Sequence, residues 1–414
     1  MHDEGVPRTR RELVLTQVGA LTAGKVLSTL AVWTTNIAGA ILVFELTGSA
    51  LVVGLVSVLQ FTPQLLLTPF FGARADRSDR LVQLVAGTTV TALGSLLLVL
   101  WALTAGFTME RDAAVVVLAA GLVGIGFSVA GPAQSSLLPA LVRRSELADA
   151  LALSSLPIIV ARSLGPAFGA TLYLTSGATV TFTVSLLLHV GFLLVLAVLR
   201  GRIRPAPRET RAGADRRVRA GLAYLRRSPR TMLQILGVGL IGVAVDPVTT
   251  LTPSLVDALG APSRFVGTLA SAFGLGTAAG FLVLSRVRLR VGILRLGAVG
   301  LTIMGGGMLL VALAPTPSLA VVGISASGAG MTFALNAFTT LVQSDVPDEL
   351  RGRVMALWSV AFLGSRPATA LITGTLADLV GVRVALAVSA STVLAGAFVT
   401  RGSRMEPRPV DREA

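Results

Sequence analysis

Ionisable side chains are scarce in the long apolar stretches of this 414-residue chain, and the few present are the residues with chemistry to do. Asp246, just before Pro247, is the one carboxylate placed deep in such a stretch, while Glu45, Asp257 and Asp378 fall at the ends of others. Arg162 and Arg366 are the deep arginines, each about fourteen residues in, or roughly 20 Å at 1.5 Å per residue. A charge at the centre of a hydrocarbon layer costs roughly 2.5–3.5 kcal/mol on insertion scales, so each one calls for a partner, a water-filled cavity or a function. Burial favours the neutral form of a carboxyl and a nearby arginine the charged form, so Asp246 could switch charge as its surroundings change. Asp246, Arg162, Arg366 and Glu45 are therefore candidates for proton coupling. The competing reading is a static pair between Asp246 and an arginine that holds helices in register. His189 could also titrate, but a lone histidine on an apolar helix is more often a hydrogen-bonded packing residue.

Other chemistry is poorly provided for. Two histidines, no cysteine and no clustered carboxylates give no metal site and no disulfide, and no Gly-x-Ser-x-Gly elbow is present. Gly19 to Lys25 has most of a phosphate-binding loop, but Val26 stands where Ser or Thr must ligate magnesium. Gly237-Val238-Gly239-Leu240-Ile241-Gly242 matches a dinucleotide fingerprint in letters, yet lies inside an apolar run with no strand before it. Small residues there suit close helix packing. Neither an enzyme nor a cofactor is expected.

The elements that position these residues follow from composition. With 53% hydrophobic and 14% charged residues, the chain is far less polar than a soluble domain, which carries about 25% charged. Apolar runs of about twenty residues, enough to cross a hydrocarbon core of roughly 30 Å, recur from end to end. They predict an all-α membrane protein with spans near 21–44, 50–71, 81–105, 113–137, 149–173, 179–199, 231–251, 265–285, 291–314, 319–342, 354–376 and 383–400. The basic start, Arg8, Arg10 and Arg11, leads into a long first span without a small-residue cleavage site, so no cleaved signal peptide is expected.

A formal charge of +14 would suggest nucleic acid in a soluble protein, but its placement argues for topology instead. Twenty-nine basic residues fall in the segments on one side and three, Arg111, Arg264 and Arg383, on the other. The positive-inside rule then puts both termini in the cytoplasm. The one long polar linker, 200–230, divides the spans into six and six, giving expected units of 1–199 and 231–414. Within it Val218, Leu222 and Leu225 share a helical face among arginines, which reads as an amphipathic helix at the inner membrane surface, or as a topology-setting tether. Ser145-Glu146-Leu147 before the fifth span and Asp348-Glu349-Leu350 before the eleventh are traces of duplication, and each of these spans carries an arginine and a proline.

Two motifs carry a family resemblance. Gly72-Ala73-Arg74-Ala75-Asp76-Arg77-Ser78-Asp79-Arg80 resembles the Gly-x-x-x-Asp-Arg-x-x-Arg signature of the major facilitator superfamily, with Asp79 departing from the usual small residue. Gly72 would pack the loop tightly, Asp76 would meet an arginine or a helix N-terminus, and Arg77 and Arg80 would face lipid phosphates. Gly165-Pro166-Ala167-Phe168-Gly169-Ala170 resembles the core of that superfamily's antiporter motif, with Ala152 and Ala161 in place of upstream glycines. Further stretches, Phe44 to Ala50, Leu138 to Leu151 and Val346 to Met355, are similar to a bacterial exporter branch of enterobactin and small-molecule efflux proteins.

The resemblance implies a twelve-helix fold in two pseudo-symmetric six-helix bundles, with the Gly72 loop, through Asp76, Arg77 and Arg80, stabilising one face of an alternating-access cycle. It also implies a cavity lined mainly by the first, fourth, seventh and tenth spans. Their polar or aromatic positions here are Trp33, Asn36, Gln134, Asp246, Phe333 and Asn336, with Gln60 and Gln64 in the second span. So few polar anchors suit an amphiphilic organic substrate better than a sugar. The expectation is a secondary active transporter in a bacterial inner membrane, monomeric and surrounded by lipid. It would be a proton-coupled exporter of drugs, natural products or siderophores, binding no nucleic acid. The alternatives are an uptake or lysolipid-flipping facilitator, and a non-transporting membrane receptor or scaffold.

Overall fold

The computed structural model describes Glu12 and residues 16–75, 78–200 and 215–401. Among them there is no strand; the chain is a succession of long helices. We number the membrane-length helices α1 (Gln17–Thr47), α2 (Ala50–Ala75), α3 (Arg80–Thr104) and α4 (Ala113–Ala140). A single 54-residue run, Leu147–Arg200, follows, far longer than a membrane needs. It is two helices meeting at Gly177, whose φ of 77° and ψ of 177° a side chain would resist, so α5 covers 147–176 and α6 covers 178–200. After the linker helix Asp215–Arg227 come α7 (Pro229–Val245), α8 (Arg264–Val291), α9 (Ile293–Leu313), α10 (Pro317–Asp345), α11 (Asp348–Val380) and α12 (Val382–Val399). Eleven segments are long and apolar enough to cross a membrane, one of them containing the Gly177 break, and division there gives the twelve spans.

The contacts divide the chain into two units, one of Met1–Thr47 with Leu59–Ala212, the other of Gly48–Val58 with Gly213–Ala414. In the first, α1 lies along α5 and α6, and α3 pairs with α4. Close crossings depend on small residues: a Cβ on Gly165 would come within 2.7 Å of Trp33 Cβ, and one on Gly169 within 2.8 Å of Thr34 Cα. The second unit pairs α9 with α10 and α12, and α8 with α10.

Leu225 of the linker helix is buried against Ile235, Val342, Val346 and Val354, and Tyr224 donates a hydrogen bond to the Asp345 carbonyl at 3.2 Å. Leu222, on the face expected to meet lipid, is 39% exposed. Of the apolar stripe of this helix, Leu225 packs against the ends of α10 and α11. Val218 lies outside the residues whose side chains are described.

Candidate functional site

Asp246 sits where α7 breaks. Pro247 has no N–H to continue the helical ladder, so the chain reforms as the short turns Pro247–Thr250 and Thr252–Ala258. The Asp246 carbonyl accepts from the Thr249 and Thr250 amides at 2.9 and 3.2 Å. Its side chain is fully buried. Thr250 Oγ1 donates to Asp246 Oδ2 at 3.2 Å, while Asp246 Oδ1 is buried without a hydrogen-bond partner.

Opposite stands Arg366 of α11, its Nε 3.7 Å from Asp246 Oδ1. One turn earlier on α7, Gly242 lets the two helices meet: a Cβ there would lie 2.6 Å from the Phe362 carbonyl and would overlap Ser365 Oγ. Gly242 and Asp246 are four residues apart on one helical face, as Phe362 and Arg366 are on the other. The glycine contact therefore brings the charges together. At 3.7 Å the pair is looser than a charge-assisted hydrogen bond of about 2.7–2.9 Å, an electrostatic contact that loss of charge on Asp246 would release. Of the two deep arginines, Arg366 is the one placed against Asp246; the Arg162 side chain lies outside the described residues.

Glu45 is exposed at the end of α1, where Tyr173 donates its phenol hydrogen to Glu45 Oε2 at 2.5 Å. Asp378, which sequence reasoning left at an outer end without a role, accepts from the Ala50 and Leu51 amides at 2.7 and 3.1 Å and from Ser49 Oγ. It thereby caps the N-terminus of α2, where unpaired N–H groups and the helix dipole favour an anion.

In the signature loop, Asp76 and Arg77 lie outside the described residues. Arg80 donates to the Ser136 carbonyl at 3.2 Å, tying the start of α3 to α4. Asp79, the departure from the signature, is the N-cap of α3 and accepts from Leu81 and Val82 amides at 2.8 and 3.2 Å. Gly72 lies in the last turns of α2, and among the described residues a Cβ there would meet nothing within 4 Å.

The cavity candidates separate into several environments. Trp33 packs on Gly165, Pro166 is buried, and Asn36 is half-buried on α1. Gln60 is buried on α2, and Gln64 Nε2 donates to its carbonyl at 3.2 Å. Phe333 belongs to an apolar cluster with Leu296 and Ala337, a packing position, whereas Asn336 Oδ1 is buried without a hydrogen-bond partner. Gln134 lines a cavity of about 360 Å³ in the first unit together with Lys25 and Phe127. Lys25 was legible only as a charge left inside a span. His189 is fully buried, its Nδ1 2.9 Å from the Ser185 carbonyl. Among the described residues no group of His, Cys, Asp and Glu is disposed to hold a metal.

A family model described as "Transmembrane secretion effector" matches residues 16–413. Macrolide efflux protein A of Streptococcus pyogenes is 24% identical over 361 residues, covering 86% of this chain and 88% of that protein. Enterobactin exporter EntS of Escherichia coli is 29% identical over 226 residues, covering 53% of this chain and 52% of that one. The fold is also that of solved transporters: PepTSo of the POT family superposes with a TM-score of 0.76 at 13% identity over 95% of this chain and 97% of its own. A bacterial homologue of ferroportin gives 0.72 at 17% identity, over 94% and 98%. With its helices, its paired intramembrane charges and a match that runs almost from end to end, this chain is a multi-pass membrane transporter, not an enzyme, and belongs to the transmembrane secretion effector family of the major facilitator superfamily.

Proposed function

We propose that this transporter is a proton-coupled exporter of amphiphilic small molecules, working by alternating access as a monomer in a bacterial inner membrane, with both termini cytoplasmic. The observation that carries this reading is the loose Asp246–Arg366 pair at the proline break of α7. A proton on Asp246 removes its attraction for Arg366 and leaves the Thr250 hydroxyl to bond a neutral acid. Two arrangements of α7 and α11 then differ in protonation, and a proton gradient biases between them. The six-helix bundles 1–199 and 231–414, joined by 200–230, act as the two bodies of the cycle. The loop containing Gly72, Asp76, Arg77 and Arg80 holds one end-state, and the Gly165, Pro166 and Gly169 crossing lets α5 work closely against α1. Export is supported by the similarity to a macrolide efflux protein and an enterobactin exporter.

The test is substrate flux in proteoliposomes carrying an imposed pH gradient. An acidic interior opposite the cytoplasmic face is expected to drive accumulation of a macrolide or a catechol-bearing amphiphile, with collapse on adding an uncoupler. Accumulation indifferent to the uncoupler excludes proton coupling. For orientation, a cysteine introduced as Arg216→Cys is expected to resist an impermeant thiol reagent added to intact cells.

A further inference from the structure

Lys25 is the single lysine of a chain with thirty-four arginines, and it stands on the wall of a cavity. That cavity belongs wholly to the first unit, between α1, α4 and α5, and its volume of about 360 Å³ falls within the range of small-molecule sites. Leu21, Leu138, Leu151 and Pro157 supply much of its apolar lining, and Thr29, Gln134 and Ser154 supply neutral hydrogen-bonding groups. The ammonium lies 5.5 Å from the centre of the Phe127 ring, within the range of a cation–π contact. No carboxylate among the described residues pairs with it. The contrast with the second unit is direct: there the deep arginine has an acid, and here the lysine has an aromatic face and an open cavity.

A cation on the wall of a largely apolar cavity is satisfied best by an anion with an apolar body. Resting on the export reading above, the geometry points to the Lys25 cavity as a substrate subsite that selects amphiphiles bearing a carboxylate or comparable anionic group. Lys25 takes the anion, Gln134 and Ser154 offer hydrogen bonds beside it, and Phe127 flanks the apolar body. The plain alternative is a lysine whose ammonium only reaches toward the inner surface, contributing nothing to ligand choice.

The test uses the full chain in nanodiscs and two probes with the same ring system, anionic 2-naphthoate and neutral 2-naphthamide. The wild type is expected to bind the naphthoate about tenfold more tightly, equivalent to about 1.4 kcal/mol. Lys25→Gln should reduce that ratio to about one, and Lys25→Arg should retain most of it. Equal affinities in the wild type, or an undiminished preference in Lys25→Gln, overturn the assignment. A variant-free measurement covers the case in which Lys25→Gln fails to fold. Because the chain has one lysine, acylation by an amine-reactive ester can be read at Lys25 alone by mass spectrometry. Naphthoate should slow that acylation severalfold and naphthamide should not; equal protection by both overturns the assignment. Gradient-driven export is scored in parallel. Export without a charge preference in binding removes this subsite and leaves the export reading intact. A Lys25-dependent preference in a protein that concentrates nothing supports the subsite and removes the export reading.

Discussion

The two units treat a buried charge in opposite ways. In the second, Asp246 and Arg366 face each other at 3.7 Å across a helix contact made close by Gly242, and the Thr250 hydroxyl donates to the acid. In the first, Lys25 stands over the Phe127 ring beside a cavity with no acid against it among the described residues. A paired charge is part of the fold, and removing one partner strands the other. An unpaired charge beside a cavity costs stability and is explained by what it binds. The difference teaches that the same cost of burial can be met by another residue or left for a ligand.

Breaking the pair gives the largest expected effect. Asp246→Ala removes the acid that faces Arg366 at 3.7 Å and should destabilise by about 3–5 kcal/mol, the usual consequence of removing one member of a buried pair. The double variant Asp246→Ala with Arg366→Met should recover most of that loss while lacking proton-driven transport. Thermal unfolding in detergent follows both, and a double variant no more stable than the single one would show that the charges are not coupled.

Separating the helices comes next. Gly242→Val places carbon against the Phe362 carbonyl and Ser365, and overpacking of this kind costs about 1–3 kcal/mol. Gly72→Ala, with open space around it, should stay within about 0.5 kcal/mol of the wild type. Equal effects at the two glycines would mean that the α7–α11 contact is not what positions the pair.

Lys25→Gln sharpens the comparison by its sign. Removal of an unpaired cation from an apolar cavity should leave stability unchanged or raise it by about 1 kcal/mol, where any lesion at Asp246 lowers it. A marked fall in melting temperature would show that Lys25 has a structural partner after all.

The smallest expected effect concerns Asp378. Its replacement by Ala removes the acceptor of the Ala50 and Leu51 amides, leaving Ser49 Oγ on Val52, and should cost about 1 kcal/mol. Asp378→Ser, a weaker cap, should restore part of it.

The number of spans was legible because the bilayer imposes a length on every apolar run, and that length is a property of sequence alone. The Asp246–Arg366 pair was half legible. Asp246, Arg162 and Arg366 stood out by their cost, but which arginine meets the acid depends on helix rotation and on the Gly242 contact, which are tertiary facts. Lys25 is visible in the sequence only as a charge inside a span; the cavity beside it is a tertiary fact. The linker helix shows the converse, since its apolar stripe was visible but not the Val342, Val346 and Val354 surface that takes Leu225. Asp79 and Asp378 were likewise ordinary loop and end charges until their helix N-termini could be seen.

The most direct test of the central claim, that Asp246 carries the coupling proton, is flux through Asp246→Asn in proteoliposomes with and without a pH gradient. The amide resembles the protonated acid, so the account predicts a folded protein that still binds substrate and equilibrates it downhill but no longer concentrates it when a proton gradient is imposed. A folded Asp246→Asn protein that accumulates substrate against its gradient, with the pH dependence of the wild type, would contradict it.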